Sequence, residues 1–420
     1  MLTERSKFAQ AAVVSAPGPE PLCGGPHWPP PETLADPPIG SRLSTLAAQM
    51  LFLSGAVRLA EGIARRIEFR RAPGGFVALP RRVIRPRFAI LCYHRIGRGG
   101  VPIYSGVRTS RFEEQMKYLH EHYRVLSLGE MLREMAEPWV NPPAVAVTFD
   151  DGYADLYTEA FPILRRYEIP ATIYLTIGAI ESGEVAWYDR VFVAFQVAPA
   201  MDFTLPLNPP RYVRLGTPQE RLLAAVEFIS LMKKLPARDR RAACEGLEST
   251  VALPASGLAN RMLTWEQIRT MQAAGVSFGT HTMTHPVVSR LNDGELLWEL
   301  GESKRLLEER LQRRVLDFAF PFGKAEECGE SALDCLGGLG YRSAVTTESG
   351  LNYPGIAPFA LRRVSFGEES SLCLFALQLS RLFLFPQTHS ATSGAPAVPS
   401  KTGSAGSRHV SSDPGVRRHA

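Results

Sequence analysis

From Arg87 onward the chain alternates short apolar runs with amphipathic stretches, the signature of a repeating strand–helix architecture. The runs are Phe88–Tyr93, Ala144–Phe149, Ala171–Ile177, Val276–Gly279, Val315–Phe320, Ser343–Thr347 and a short one around Val364. They predict buried parallel strands, whose two covered faces favour continuous rather than alternating hydrophobicity. Between them lie helices with legible starts: Thr264 with Gln267, and Asn292 with Glu295, have the spacing of a capping box. Leu296, Leu300, Leu307 and Leu311 then give the second of these helices an apolar stripe.

Residues 179–261 break the repeat. They hold two or three helical patterns and the proline-rich Leu205–Tyr212 stretch but no clear strand, which predicts a helical insertion within a domain spanning 87–386. A last helix is expected over roughly Glu368–Leu384. Outside this domain, residues 1–40 carry proline punctuation without periodicity and are expected to be disordered, as is the Ser/Thr/Gly/Pro-rich tail 387–420. Residues 41–86 are expected to form a helical extension. Its stretch Leu43–Ala64 is rather apolar, but Arg58 and Glu61 interrupt it and Leu46, Met50, Leu53 and Val57 recur at helical spacing, so packing is favoured over membrane contact through 43–64. The start of the chain lacks the basic segment and apolar run of a secretory signal, which leaves the compartment open between cytoplasmic and membrane-associated.

Composition changes this picture little. The 420 residues are 45% hydrophobic with a net charge of +5, normal for a globular protein. The basic runs Arg65–Arg66, Arg70–Arg71 and Arg81–Arg82 lie near the N-terminus, away from the motifs below, and read as solvated surface; no nucleic-acid partner is expected. Six cysteines without a C-x-x-C pair suggest free thiols.

The chemistry concentrates at two predicted strand ends, where strand–helix architectures place their reactive groups. In Thr148-Phe149-Asp150-Asp151-Gly152-Tyr153, two adjacent carboxylates follow an apolar strand and precede a glycine turn. Ionising both is costly unless a cation lies close by, although a strand-end Asp also serves as a helix N-cap. In Gly279-Thr280-His281-Thr282-Met283-Thr284-His285-Pro286, two histidines stand four residues apart. On a helical turn they would share a face and point at one metal. Together the two segments would complete a two-histidine, one-carboxylate set with positions open for water and substrate.

Over roughly Arg87 to Phe385 the chain resembles the NodB-homology polysaccharide deacetylases of carbohydrate esterase family 4. The resemblance rests on Thr148–Tyr153, His281–His285 and Phe318–Gly323 (FAFPFG), in the family's order. It implies an α/β fold, a distorted (β/α) barrel, in which Asp151, His281 and His285 bind one divalent metal and Asp150 is the general base. Zinc is the default ion for two imidazoles and a carboxylate; cobalt, nickel, manganese and iron suit the same ligands. The implied substrate is an acetylated glycan. Tyr153 and Pro321 are expected to contact it, joined by Trp187 and Asp189 at the start of the insertion, where either the indole stacks on a sugar ring and the carboxylate accepts a hydroxyl hydrogen bond, or Trp187 anchors a surface helix.

The third motif departs from the family pattern. Ala319 stands where many members have an arginine that positions the base, a gap that Arg363 is the candidate to fill. Phe322 replaces a tyrosine whose backbone N–H stabilises the oxyanion, a role phenylalanine can keep. The usual late Leu-x-x-His and late tryptophan are absent, and the candidate proton donor is His94, at the end of the first strand. The reaction implied is hydrolysis of N-acetyl groups on an N-acetylhexosamine polymer. Hydrolysis of other amides or acetyl esters on the same barrel, and a non-catalytic carbohydrate-binding barrel, are the alternatives.

Overall fold

The computed structural model describes residues 87–97, 106–137, 143–205, 210–251, 261–367 and 371–384. The expected disordered segment 1–40, the helical extension 41–86 and the tail 387–420 lie outside the described residues. Among the described residues ten strands occur in chain order: β1 (Phe88–Tyr93), β2 (Arg124–Val125), β3 (Ala144–Phe149), β4 (Ala171–Leu175), β5 (Asp202–Leu205), β6 (Arg211–Arg214), β7 (Ser277–Thr280), β8 (Asp317–Ala319), β9 (Ser343–Ser349) and β10 (Leu361–Ser365).

Seven of them run parallel in the order β1-β10-β9-β8-β7-β4-β3, and β3 pairs back onto β1 over its whole length, from Phe88 opposite Ala144 to Tyr93 opposite Phe149. The sheet therefore closes into the expected barrel, with the short β2 set beside the start of β3. All seven apolar runs of the sequence supply a barrel strand.

Strand alternation decides what faces the barrel axis. Phe88 and Ile90, Ala144 and Ala146, Tyr174, Ala319, Val345 and Leu361 form one small core, closed at the strand starts by Leu128, Met131 and Met135 of the helix Leu128–Ala136. A complete capping box, Ser127 with Glu130, starts that helix. The intervening residues Ala89, Leu91, Tyr93, Val145, Val147 and Phe149 face outward into a larger core beneath the surrounding helices, including Phe112, Met116 and Leu119 of the helix Thr109–His122. Each fully buried valine, leucine, phenylalanine or methionine among them contributes about 1.5–3 kcal/mol. The same parity, followed toward the strand ends, aims Cys92, Asp150, His281 and Arg363 at the open mouth of the barrel.

The insertion is more than helical, which corrects the expectation for 179–261. Helices Trp187–Val197, Pro218–Met232 and Ala237–Thr250 are joined by an antiparallel hairpin of β5 and β6, with Asp202 opposite Arg214 and Leu205 opposite Arg211. Its alternation is only four residues long, with Phe203 and Leu205 inward and Asp202 exposed, and prolines at 206, 209 and 210 mask the pattern. Phe203 meets Phe195 and Phe228 of the two adjoining helices, with ring centroids 5.3 and 6.4 Å away. No described helix is long and apolar enough to cross a membrane. The described cysteines Cys92, Cys244, Cys328, Cys335 and Cys373 are all free thiols.

Candidate active site

The β3 ladder continues one step beyond Phe149, where the Asp150 N–H donates to the Tyr93 carbonyl at 3.0 Å. The chain then turns sharply: Asp151 (φ 70°) and Gly152 (φ 89°) are left-handed. The positive φ of Gly152 is one that a residue with a Cβ rarely adopts, and a Cβ there would also lie 2.6 Å from Leu175 Cδ2, which would have to shift. The turn sends the two neighbouring carboxylates, both 2% exposed, into different surroundings.

Asp150 meets a fully buried arginine. Arg363 Nη1 and Nη2 donate to its two carboxylate oxygens at 2.7 Å each, and Arg363 Nε donates to the Thr346 carbonyl at 2.8 Å. Burial alone would push the Asp150 carboxyl up; the Arg363 guanidinium, aided by His281, outweighs it and holds the group far below the usual carboxylate range. Arg363, the candidate for the gap left at Ala319, thus lies against the Asp150 carboxylate. His94 Nε2 lies 3.9 Å from Asp150 Oδ2, with the side chain 30% exposed at the mouth, and Cys92 Sγ donates weakly to the same oxygen from below at 3.7 Å. Burial lowers the His94 pKa, against the opposing pull of Asp150, so the ring is neutral near pH 7.

Asp151 meets the two imidazoles. Its Oδ1 lies 3.7 Å from His281 Nε2 and 3.5 Å from His285 Nε2, and the ligand atoms of all three residues fall within 4.8 Å of one another. Among the described residues Asp151 Oδ1 has no hydrogen-bond partner although it is buried. Burial, then the negative charges of Asp150 and Asp189, push the Asp151 carboxyl far up, which makes its ionisation depend on a cation. Burial lowers His281 to about 4 and His285 well below its ordinary value, so both rings are in the neutral form that metals bind. His281 Nδ1–H donates to the Ala319 carbonyl at 2.7 Å, which fixes the tautomer and leaves Nε2 as the free lone pair. An orphaned carboxylate oxygen facing two neutral imidazoles, that of His281 oriented by the Ala319 carbonyl, fits a divalent ion.

The histidines are not on a helical turn, contrary to the sequence expectation. They converge because the loop after β7 takes left-handed conformations at Thr282 (φ 66°) and His285 (φ 56°), which bring the two rings to 4.7 Å. Phe322, also left-handed (φ 61°), stacks edge-on against His285 at 4.7 Å, and its carbonyl accepts from Thr347 Oγ1. Pro321 before it is buried.

The substrate-contact expectations fare differently. Tyr153 and Asp189 are 0% and 1% exposed, and the Tyr153 hydroxyl donates to Asp189 Oδ2 at 2.7 Å, so they bond to each other and neither is offered to a sugar. Trp187 is partly buried, and its Nε1 donates to the His285 carbonyl at 3.1 Å, which ties the indole to the histidine loop. The insertion reaches the site through Lys233 as well, whose Nζ sits 3.6 Å over the Phe322 ring and 3.3 Å from Glu327.

Two residues escaped the sequence reading. Thr346 offers only a carbonyl, which no residue type advertises. Glu299, 3% exposed, accepts hydrogen bonds from the histidine loop. It stands three residues after Leu296 on the same apolar stripe, so a charge on a buried helix face was the available signal.

Residues 139–343 match the family model described as polysaccharide deacetylase. The chain is similar to the Bacillus subtilis (strain 168) protein YxkH, with 23% identity over 282 residues that cover 66% of this chain and 71% of that one. It is also similar to the poly-beta-1,6-N-acetyl-D-glucosamine N-deacetylase of Escherichia coli (strain K12), with 38% identity over 79 residues, 18% of this chain and 12% of that protein. Among solved structures, the Streptococcus pyogenes deacetylase PplD in complex with acetate overlays with a TM-score of 0.48 at 21% identity, over 70% of this chain and 98% of that one.

Proposed function

We propose that this chain, whose residues 139–343 match the polysaccharide deacetylase family of hydrolases acting on carbon–nitrogen bonds in linear amides, removes N-acetyl groups from an N-acetylhexosamine polymer using one divalent cation held by Asp151, His281 and His285. The observation that carries the reading is the orphaned, buried Asp151 Oδ1 between two neutral imidazoles, beside a second carboxylate kept ionised by an arginine. When bound, the ion supplies a Lewis acid that polarises the acetamide carbonyl and acidifies water; zinc is the ion this ligand set favours.

The protein's own groups do the rest. Asp150 accepts the proton of the attacking water, and Arg363 fixes its carboxylate in place and keeps it ionised at the start of each turnover. The Phe322 N–H donates to the oxyanion formed at the acetyl carbon. The leaving amine must regain a proton. His94, which begins neutral and lies 3.9 Å from Asp150 Oδ2, carries that proton from Asp150 to the nitrogen rather than storing one of its own. The balance is one water consumed and one acetic acid and one amine released, which near pH 7 leave as acetate and ammonium.

A carbohydrate-binding barrel without turnover would need neither the Asp150–Arg363 pair nor His94 beside it, and the geometry disfavours it. The similarity to the Escherichia coli poly-beta-1,6-N-acetyl-D-glucosamine N-deacetylase makes β-1,6-linked poly-N-acetylglucosamine the first substrate to test, with chitin oligomers and an acetyl ester alongside. Acetate release from the amide polymers and not from the ester supports the proposal. Turnover of the ester alone would replace it with an esterase.

A further inference from the structure

The loop that carries both histidines is an unfavourable piece of backbone. Left-handed conformations at the non-glycine residues Thr282 and His285 cost roughly 1–2 kcal/mol each, and such residues persist only where their surroundings over-determine them. Most of the loop's polar groups are held by neighbours. His281 N–H donates to the Leu175 carbonyl at 2.8 Å, while the Thr282 and Met283 carbonyls accept from Ile177 N–H at 3.0 Å and Gly178 N–H at 2.9 Å. Gly178 is obligatory there, since a Cβ would lie 2.5 Å from the Met283 oxygen. His285 N–H donates to Thr282 Oγ1 at 3.0 Å.

At the apex, the N–H groups of Met283 and Thr284 converge on one atom. They donate to Glu299 Oε2 at 2.8 and 2.9 Å, and Thr284 Oγ1 donates to Glu299 Oε1 at 2.5 Å. Consecutive N–H groups turned to one point form an anion-binding nest, here filled by a side chain from another element. Glu299 arrives from a π-helical turn, Trp298–Glu302, set between two α-helical segments of the Leu296–Leu311 stripe. Such turns are rare and concentrate near functional sites. A carboxylate buried this completely is tolerated only when its oxygens are hydrogen-bonded, and both of these are.

We propose that Glu299 is a positioning residue for the metal-ligand loop: without touching ion or substrate, its carboxylate sets the turn between His281 and His285 and so the spacing of their Nε2 atoms. The inference rests on the assignment of those histidines and Asp151 as ligands. The test is zinc affinity of the folded, metal-stripped protein by competition with a chromogenic chelator, with folding of each variant checked by circular dichroism. Glu299→Ala, which leaves two buried N–H groups unpaired, and Glu299→Asp, which falls one methylene short, are expected to bind zinc about 10- to 100-fold more weakly, the scale for loss of an outer support. Glu299→Gln keeps an acceptor for both N–H groups and is expected to restore most of the affinity. Glu299→Asp carries the test if the alanine variant does not fold. Wild-type affinity in both the Ala and Asp variants overturns the proposal, whatever their loss of melting temperature. A His285→Ala control that retains wild-type affinity overturns it differently, by removing the ligand assignment on which it stands.

Discussion

The Asp150–Arg363 pair offers the sharpest energetic test, because both partners are almost wholly buried, at 2% and 1% exposure, and joined by two hydrogen bonds of 2.7 Å. Replacing Arg363 by Met removes the cation while keeping most of the volume. Asp150 is then an uncompensated buried charge, which costs about 3–5 kcal/mol, and the Thr346 carbonyl loses its donor at a further cost of about 1 kcal/mol. A domain stable by about 5–15 kcal/mol survives this narrowly. Asp150→Asn in that background removes the stranded charge, so the double variant is expected to be more stable than Arg363→Met alone by at least about 2 kcal/mol. Urea unfolding of the metal-stripped proteins at pH 7 measures all four corners of the cycle, and activity, which every variant should lose, plays no part. If Asp150→Asn lowers the stability of the Arg363→Met protein, or the two effects simply add within about 0.5 kcal/mol, the pair is not the coupled buried unit described here.

Three further outcomes follow from the site. Asp150→Asn alone should retain the metal and lose about 100-fold or more in turnover, the scale of general-base catalysis; near-normal turnover by acetate assay would remove Asp150 from that role. Trp187→Phe loses the hydrogen bond to the His285 carbonyl and should weaken metal binding by up to about tenfold, with equal rate effects on polymer and on a minimal acetylated sugar; a loss confined to the polymer would return Trp187 to sugar recognition. Asp189 is pushed up to about 6, mainly by burial, so the folded protein holds a proton that the unfolded chain releases near 3.8. Its contribution to stability is therefore greatest at low pH and falls as pH rises from about 4 to about 6, by about 3 kcal/mol at about 1.4 kcal/mol per pKa unit. Asp189→Asn should lose that slope, and parallel stability curves for the two proteins would contradict it.

Much of this was legible in the sequence, for identifiable reasons. Continuous apolar runs mark strands covered on both faces, and Arg363 was a candidate only because Ala319 stands where an arginine was expected; which side chains face the barrel axis came from the structure. The convergence of Asp151, His281 and His285 followed from their strand-end positions. The way they converge did not, since Thr282 and His285 adopt a backbone region that their residue types disfavour and only surrounding hydrogen bonds impose. The pairing of Tyr153 with Asp189 was hidden for a related reason: a polar side chain near a site looks the same in sequence whether it faces a sugar or another buried residue. The β5–β6 hairpin was masked by its prolines and its brevity.

The central claim is that a divalent ion between Asp151, His281 and His285 is required for removal of acetyl groups, and acetate release from β-1,6-linked poly-N-acetylglucosamine before and after chelation tests it most directly. Activity should vanish on exhaustive chelation, return when zinc or another divalent ion is restored, and fail to return in His285→Ala. Undiminished acetate release from protein shown by elemental analysis to hold no metal would contradict the account.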